Sequence, residues 1–153
     1  MSTNIIILDN SPSSYKLAAA FIESMNEELA LPVPKEWLDK IISRAIILAN
    51  LDSNESSISG FFAMYCNDKV NGVAYVAGLH VLKQYRGYGI SKLLLSKAID
   101  LCKSNLMKKL TLYCKCDNLL ALNLYKRYGF VIVRKERKPE YRDEEHFFME
   151  LNL

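Results

Sequence analysis

Apolar residues along this chain recur with two periods, and the alternation between those periods lays out its elements. NIIILDN (4–10) is a short apolar run with polar flanks and reads as a first strand. Ser11 to Ser14 offer turn and N-cap oxygens, and KLAAAFIESMNEEL (16–29) continues as a helix of strong helix formers. LPVP (31–34) ends it, and Pro34 is positioned to open a second helix, KEWLDKIISRA (35–45). AIILAN (45–50) and ISGFFAMYC (58–66) read as strands on either side of the polar cluster LDSNESS. NGVAYVAGLHVL (71–82) is a longer strand in which Gly78 marks a bulge or a splayed point. Ile90, Leu93, Leu94, Ala98, Leu101 and Cys102 then return at helical spacing. KKLTLYCKC (108–116) is a strand, DNLLALNLYKRYGF (117–130) a short helix closed by Gly129, and VIVRKERK (131–138) and EEHFFMELNL (144–153) the last two strands.

The order is β, α, α, β, β, β, α, β, α, β, β. Antiparallel hairpins come first, and one strand–helix–strand crossover over 71–116 then makes a parallel pair in mid-sheet. The expectation is a mixed α/β (α+β) fold with helices on both faces, formed by residues 1–153 as one domain. Half of the residues are hydrophobic and 24% are charged, the balance of a soluble globular chain. A net charge of +3 suits an anionic small molecule and gives no localised basic patch for nucleic acid. Lys97, Lys103, Lys108 and Lys109 read instead as the polar face and exit of a helix. Four cysteines, Cys66, Cys102, Cys114 and Cys116, lack zinc-site spacing and read as reduced thiols of a cytoplasmic protein. Neither a signal peptide nor an apolar run of about 20 residues appears, so no membrane partner is expected.

KQYRGYGISKLLL (83–95) puts two glycines at the start of a helix, where glycine costs roughly 1 kcal/mol against alanine in a helix interior. A compensating demand explains them. The first turn of a helix carries N–H groups without intrahelical partners and the positive end of the dipole. Gly87 and Gly89 leave those donors open to an anion, and Arg86 and Lys92 add charge. A P-loop is excluded by spacing and by the missing Lys-Ser/Thr pair, and the dinucleotide fingerprint by Lys92 where its third glycine belongs.

Q-x-x-G-x-G over Gln84 to Gly89, between a strand and a helix, resembles the acetyl-CoA-binding motif of the GNAT N-acetyltransferase superfamily. One crossover later, Asn118, Ala121, Leu124, Tyr125, Gly129 and Phe130 resemble that family's N-x-x-A-x-x-L-Y-x-x-x-G-F segment. The motif-bearing resemblance covers about residues 72–131. It implies a central, mostly antiparallel sheet whose one parallel pair splays at the cofactor site, with acetyl-CoA as cosubstrate and no metal. By the same resemblance, backbone groups of Leu79 and Val81 hold the pantetheine arm, and the amides of Arg86, Gly87, Tyr88, Gly89, Ile90 and Ser91 hold the pyrophosphate. Tyr125 would be the general acid to the departing thiolate, with packing as its plainer role. A thiol near pKa 8.5 and a phenol near 10 make that transfer only mildly uphill (model values). Asn118 would bond the pantetheine arm, cap its helix, or both. Ala121 would let the helix approach the cofactor or serve as ordinary core.

The family often places a glutamate on the central strand, and VAYVAGLHV has no carboxylate. Tyr75 and His80 are the candidates for base or water-ordering group, each also readable as structural, with Glu140 and Glu144 more remote. The acceptor, a small-molecule or peptide amine, would meet residues 20–40 and 138–145. There Trp37, Tyr141, Asp143, Glu144 and Glu145 are candidates beside the plainer reading of a solvated charge cluster. The reading is an N-acetyltransferase working by direct amine attack, with a non-catalytic acyl-CoA-binding regulatory domain as the alternative. Oligomeric state stays open, a homodimer included.

Overall fold

The structure, a computed structural model, describes residues 4–141 and 143–153, Tyr141 by its backbone alone. Seven strands form one sheet in the order β1-β2-β3-β4-β5-β7-β6. They are β1 (Asn4–Ile7), β2 (Ile46–Leu51), β3 (Ile58–Asp68), β4 (Val73–Val81), β5 (Lys109–Lys115), β6 (Val131–Lys138) and β7 (Glu144–Asn152). Only β4 and β5 run parallel; every other neighbouring pair is antiparallel. The expected mixed α/β class and its element order are what the chain adopts.

Helices α1 (Pro12–Glu28) and α2 (Lys35–Arg44) cover one face of the sheet, and α3 (Ile90–Ser104) and α4 (Leu119–Arg127) the other. In α1, Ala18, Phe21, Ile22 and Met25 fall on one stripe and pack with Leu38 and Ile41 of α2 against Ile47, Ala49, Phe61 and Ala63. On the far face, Ile90, Leu94, Leu95, Ala98 and Cys102 of α3 pack against Leu48, Phe62, Met64, Val76, Leu110 and Leu112. Strands β2 and β3 are therefore buried on both faces, which is why AIILAN and GFFAM are almost wholly apolar. Each fully buried Leu or Ile stabilises by about 1.5–3 kcal/mol, so the buried stripe of α3 outweighs the glycine at its start several times over.

Some boundaries differ from the sequence reading for local reasons. The first strand stops at Ile7, because the Asp9 carboxylate accepts from the Ser11 amide (3.0 Å) and the Ser14 hydroxyl (2.8 Å) and turns the chain into α1. Ser11 then caps that helix by accepting from the Ser14 amide at 3.2 Å. A single 3₁₀ turn, Lys83–Tyr85, occupies what the pattern marks only as a turn. All four cysteines are free thiols. No helix among the described residues is long and apolar enough to cross a membrane.

Candidate active site

Strands β4 and β5 pair at Val73–Lys109, Ala74–Leu110 and Tyr75–Thr111, and there the pairing ends. At the parting point the buried Thr111 hydroxyl donates to the Ala74 carbonyl at 2.9 Å. The register of β3 on β4 slips between Met64–Val76 and Ala63–Gly78, so Ala77 is an extra residue that bends β4 away. Gly78 sits beside this bulge for a second reason: a Cβ there would stand 3.3 Å from the Trp37 ring. The parted strands open a cavity of about 760 Å³ between the last half of β4, the end of β5 and the start of α3 and α4.

Of the residues expected for cofactor, acid and base, all line this cavity except Tyr88, which is 56% exposed, and the remoter base candidates Glu140 and Glu144; the acceptor candidates Trp37, Asp143 and Glu145 do not line it either. Gly87 (φ +88°) and Gly89 (φ +77°) hold the left-handed backbone that carries the chain into α3. A Cβ at either would meet nothing within 4 Å. They are glycine for the backbone they adopt and the approach they leave open, not for crowding within the protein. The first intrahelical bond of α3 runs from the Leu93 amide to the Gly89 carbonyl at 3.1 Å, leaving the amides of Ile90, Ser91 and Lys92 without a helical acceptor. Arg86, Lys92 and Arg127 also line the cavity. The Val81 carbonyl already accepts from Arg86 Nε at 2.9 Å.

Tyr125 is buried at 7% exposure, its ring edge-on to Phe130 at 5.6 Å. Its hydroxyl makes no hydrogen bond among the described residues and belongs to a side chain lining the cavity. Burial, and then the nearby Cys114 thiol, push its pKa well above the usual phenol range. Cys114 is itself pushed up to about 11, chiefly by burial, so its sulfur stays a protonated thiol. Tyr128 takes a different part. It donates to the Lys92 carbonyl at 3.0 Å and contacts the Ser96 hydroxyl at 2.7 Å, clamping α4 to α3. Asn118 caps α4 by accepting from the Ala121 amide at 3.2 Å.

On the α1–α2 face of β4, the sequence missed a carboxylate. Glu28, at the last position of α1, accepts from His80 Nε2 at 2.9 Å and from the Lys83 amide at 3.2 Å. The Arg86 guanidinium stands 3.5 Å from the same carboxylate. Burial alone would raise the Glu28 pKa, but the bonds from His80 and Lys83 and the charge of Arg86 outweigh it and hold it low. Burial depresses His80 first, and Arg86 adds to that, against an upward pull from Glu28. The resulting state is an ionised Glu28 facing a neutral imidazole whose Nε2 carries the proton, which makes Nδ1 the ring's lone-pair nitrogen. A signal for Glu28 was present in the sequence: a carboxylate in the last turn of a helix opposes the dipole and calls for donors nearby.

Tyr75 lines the cavity with its ring edge-on to Tyr113 at 6.3 Å. The expected acceptor acids are already paired. Glu140 meets Lys138 (2.9 Å), Glu144 meets Lys115 (2.7 Å), Glu145 meets Lys135 (3.5 Å), and Asp143 lies 4.0 Å from Arg137. Trp37 packs edge-on against Phe61 (5.9 Å) and behind Gly78. The Tyr141 side chain lies outside the described residues. Among those residues, no three His, Cys, Asp or Glu side chains gather as a metal site.

A parallel pair that parts over a glycine-led helix terminus is the architecture of the acetyltransferase class. A model of the acetyltransferase (GNAT) family matches residues 15–130, and the chain belongs to that family. N-alpha-acetyltransferase 30 of Schizosaccharomyces pombe is 36% identical over 56 residues, 37% of this chain and only 37% of that protein's length. Arabidopsis thaliana NAA60, solved with acetyl-CoA, shares the fold at a TM-score of 0.82 and 15% identity, over 99% of this chain and 100% of that one. The ribosomal-protein-S18-alanine N-acetyltransferase of Escherichia coli does so at 0.79 and 18% identity, over 99% and 94%.

Proposed function

We propose that this chain, as one acetyltransferase domain over residues 1–153, moves the acetyl group of acetyl-CoA to a primary amine. The observation that carries the reading is the parting of β4 from β5 after Tyr75 and Thr111, directly beside the open amides of α3 and the partnerless hydroxyl of Tyr125. The cavity fits a coenzyme A thioester in its chemistry. Amides of residues 87–91 and the Arg86 and Lys92 charges suit a diphosphate, whereas the Arg86 amide, expected among these donors, is already given to the Lys83 carbonyl at 3.2 Å. The flank of β4 that β5 leaves suits an amide-bearing arm at Leu79, and at Val81 the carbonyl is held by Arg86 Nε. Asn118 and Ala121 line the same cavity from the α4 side and would border that arm.

Bound acetyl-CoA supplies an activated acyl group on a sulfur that departs as thiolate. Tyr125 holds the proton that sulfur needs. Its raised pKa keeps it protonated throughout the neutral range, and a sulfur leaving into the same buried end of the cavity would likewise hold a proton more tightly than in water, which would offset the rise. His80, oriented through Nε2 by Glu28, takes the proton from the attacking amine, with Tyr75 ordering the acceptor side of the chamber. The C–S bond breaks as the C–N bond forms; the Tyr125 proton leaves on the thiol, His80 releases the amine proton to solvent, and Tyr125 takes one back from solvent to restore the starting state. Direct attack is favoured over an acyl-cysteine route because the Cys114 thiol is held protonated.

Peptides with a free N-terminus are the first acceptors to test, since both the fission-yeast relative and the E. coli structure are named for N-terminal or alanine acetylation. The free thiols fit a reducing, cytoplasmic setting. The test is thiol release from acetyl-CoA across a panel of peptides, polyamines and amino sugars, with a no-acceptor control. Acceptor-dependent release supports the proposal. Tight coenzyme A binding with no release from any acceptor would favour the regulatory-domain alternative.

A further inference from the structure

Glu28 touches both halves of the site. Its carboxylate accepts from His80 Nε2 at 2.9 Å on the α1–α2 face of β4 and from the Lys83 amide at 3.2 Å where β4 turns toward α3. Its third neighbour is Arg86 Nη2 at 3.5 Å, on a side chain that lines the anion end of the cavity. The chain thus runs α1 back across the sheet, 52 residues away in sequence, to place one carboxylate between the candidate base and the phosphate cradle. A partly exposed acid at a helix C-terminus is unfavourable by itself, and these three donors hold it.

On the reading of the site given above, we propose that Glu28 is a positioning residue that links acetyl-CoA binding to amine activation, by sharing its carboxylate between Arg86 and His80 until the cradle is filled. A diphosphate bound at residues 86–91 competes for the Arg86 guanidinium. It either draws that group from Glu28 or neutralises its field. In both cases Glu28 is left to serve His80 alone, and the imidazole becomes the stronger base. The charged groups facing His80 are Glu28 from α1 and Arg86 from the turn after β4. Phe21 of α1 (6.3 Å between ring centroids) packs on the same ring and does not titrate. The sign follows from these two charges: removing the influence of a cation near an imidazole favours its protonated form. The consequence is order: an amine that arrives before the cosubstrate meets a weak base, and one that arrives after it meets a strong base.

The test reads the titration of the two histidines, His80 and His146, by NMR with and without saturating coenzyme A, whose binding is verified by calorimetry on the same sample. The wild-type His80 midpoint is expected to rise on binding by roughly half to one pH unit. In Arg86→Gln the midpoint should already be high in the free protein, and coenzyme A should add little. In Glu28→Gln it should be low, and the rise should be less than half that of the wild type. A wild-type midpoint that stays put with coenzyme A bound would overturn the proposal. So would an undiminished rise in Glu28→Gln, and if that variant does not fold, Arg86→Gln decides alone by the same criterion. Failure of calorimetry to detect coenzyme A would instead overturn the cofactor reading, a different result from an unresponsive histidine.

Discussion

Replacing Tyr125 with phenylalanine removes one oxygen and leaves the ring. The ring is buried, edge-on to Phe130 at 5.6 Å, so the substitution opens no sizeable cavity. The hydroxyl it removes makes no hydrogen bond among the described residues. That hydroxyl borders the cavity, where solvent can reach it, so its removal leaves no buried group unpaired and the variant should stay within about 1 kcal/mol of the wild type in stability. On the proposed reading coenzyme A binding rests on the amides of residues 87–91 and should change by less than about threefold, under 0.7 kcal/mol. Turnover should behave differently. A positioned acid contributes on the order of 10²–10⁴-fold, or about 2.7–5.5 kcal/mol of barrier, and phenylalanine has no proton to give. The assay is steady-state thiol release at saturating acetyl-CoA, with the melting temperature and a calorimetric Kd measured on the same preparation. Loss of kcat with Tm and Kd retained supports the acid role. Full turnover would refute it, and a loss of binding equal to the loss of rate would return Tyr125 to packing.

Gly89→Val puts a β-branched residue at φ +77°, at a strain of about 1–2 kcal/mol, and blocks the cradle; loss of two charge-assisted amide bonds should weaken coenzyme A by on the order of 100-fold or more by calorimetry. Gly78→Ala sets a methyl 3.3 Å from Trp37; melting should show a loss of about 1 kcal/mol, and the emission of Trp37, the single tryptophan, should shift. His80 has a folded-state pKa below its unfolded value, so the unfolded chain takes up that proton first as pH falls. Its contribution to stability is therefore present above about pH 6.5 and declines below it, and the wild-type Tm should fall more steeply between about pH 6.5 and 5 than that of His80→Gln.

The parts of this molecule written locally were legible in its sequence. The crossover over 71–116, the glycine turn and the Asn118–Phe130 helix each announce themselves within a dozen residues, because helix starts, caps and left-handed turns are set by neighbours along the chain. Gly78 was read as a splay point and proves also to be the seat of Trp37, a contact that no local pattern encodes. Glu28 was overlooked for the same reason. It meets His80 only because α1 crosses the sheet face to the far end of β4, a contact between residues 52 apart in the chain. The acids of residues 140–145 looked available as a composition, yet each faces a basic partner on a neighbouring strand or turn.

The measurement that bears most directly on the whole account is a structure of the chain with coenzyme A at saturating concentration. The diphosphate should lie within hydrogen-bond distance of the amides of residues 87–91, and the pantetheine arm between β4 and β5 with its sulfur toward the Tyr125 hydroxyl. Coenzyme A bound outside the gap between β4 and β5, or a cavity left empty at saturation, would contradict it.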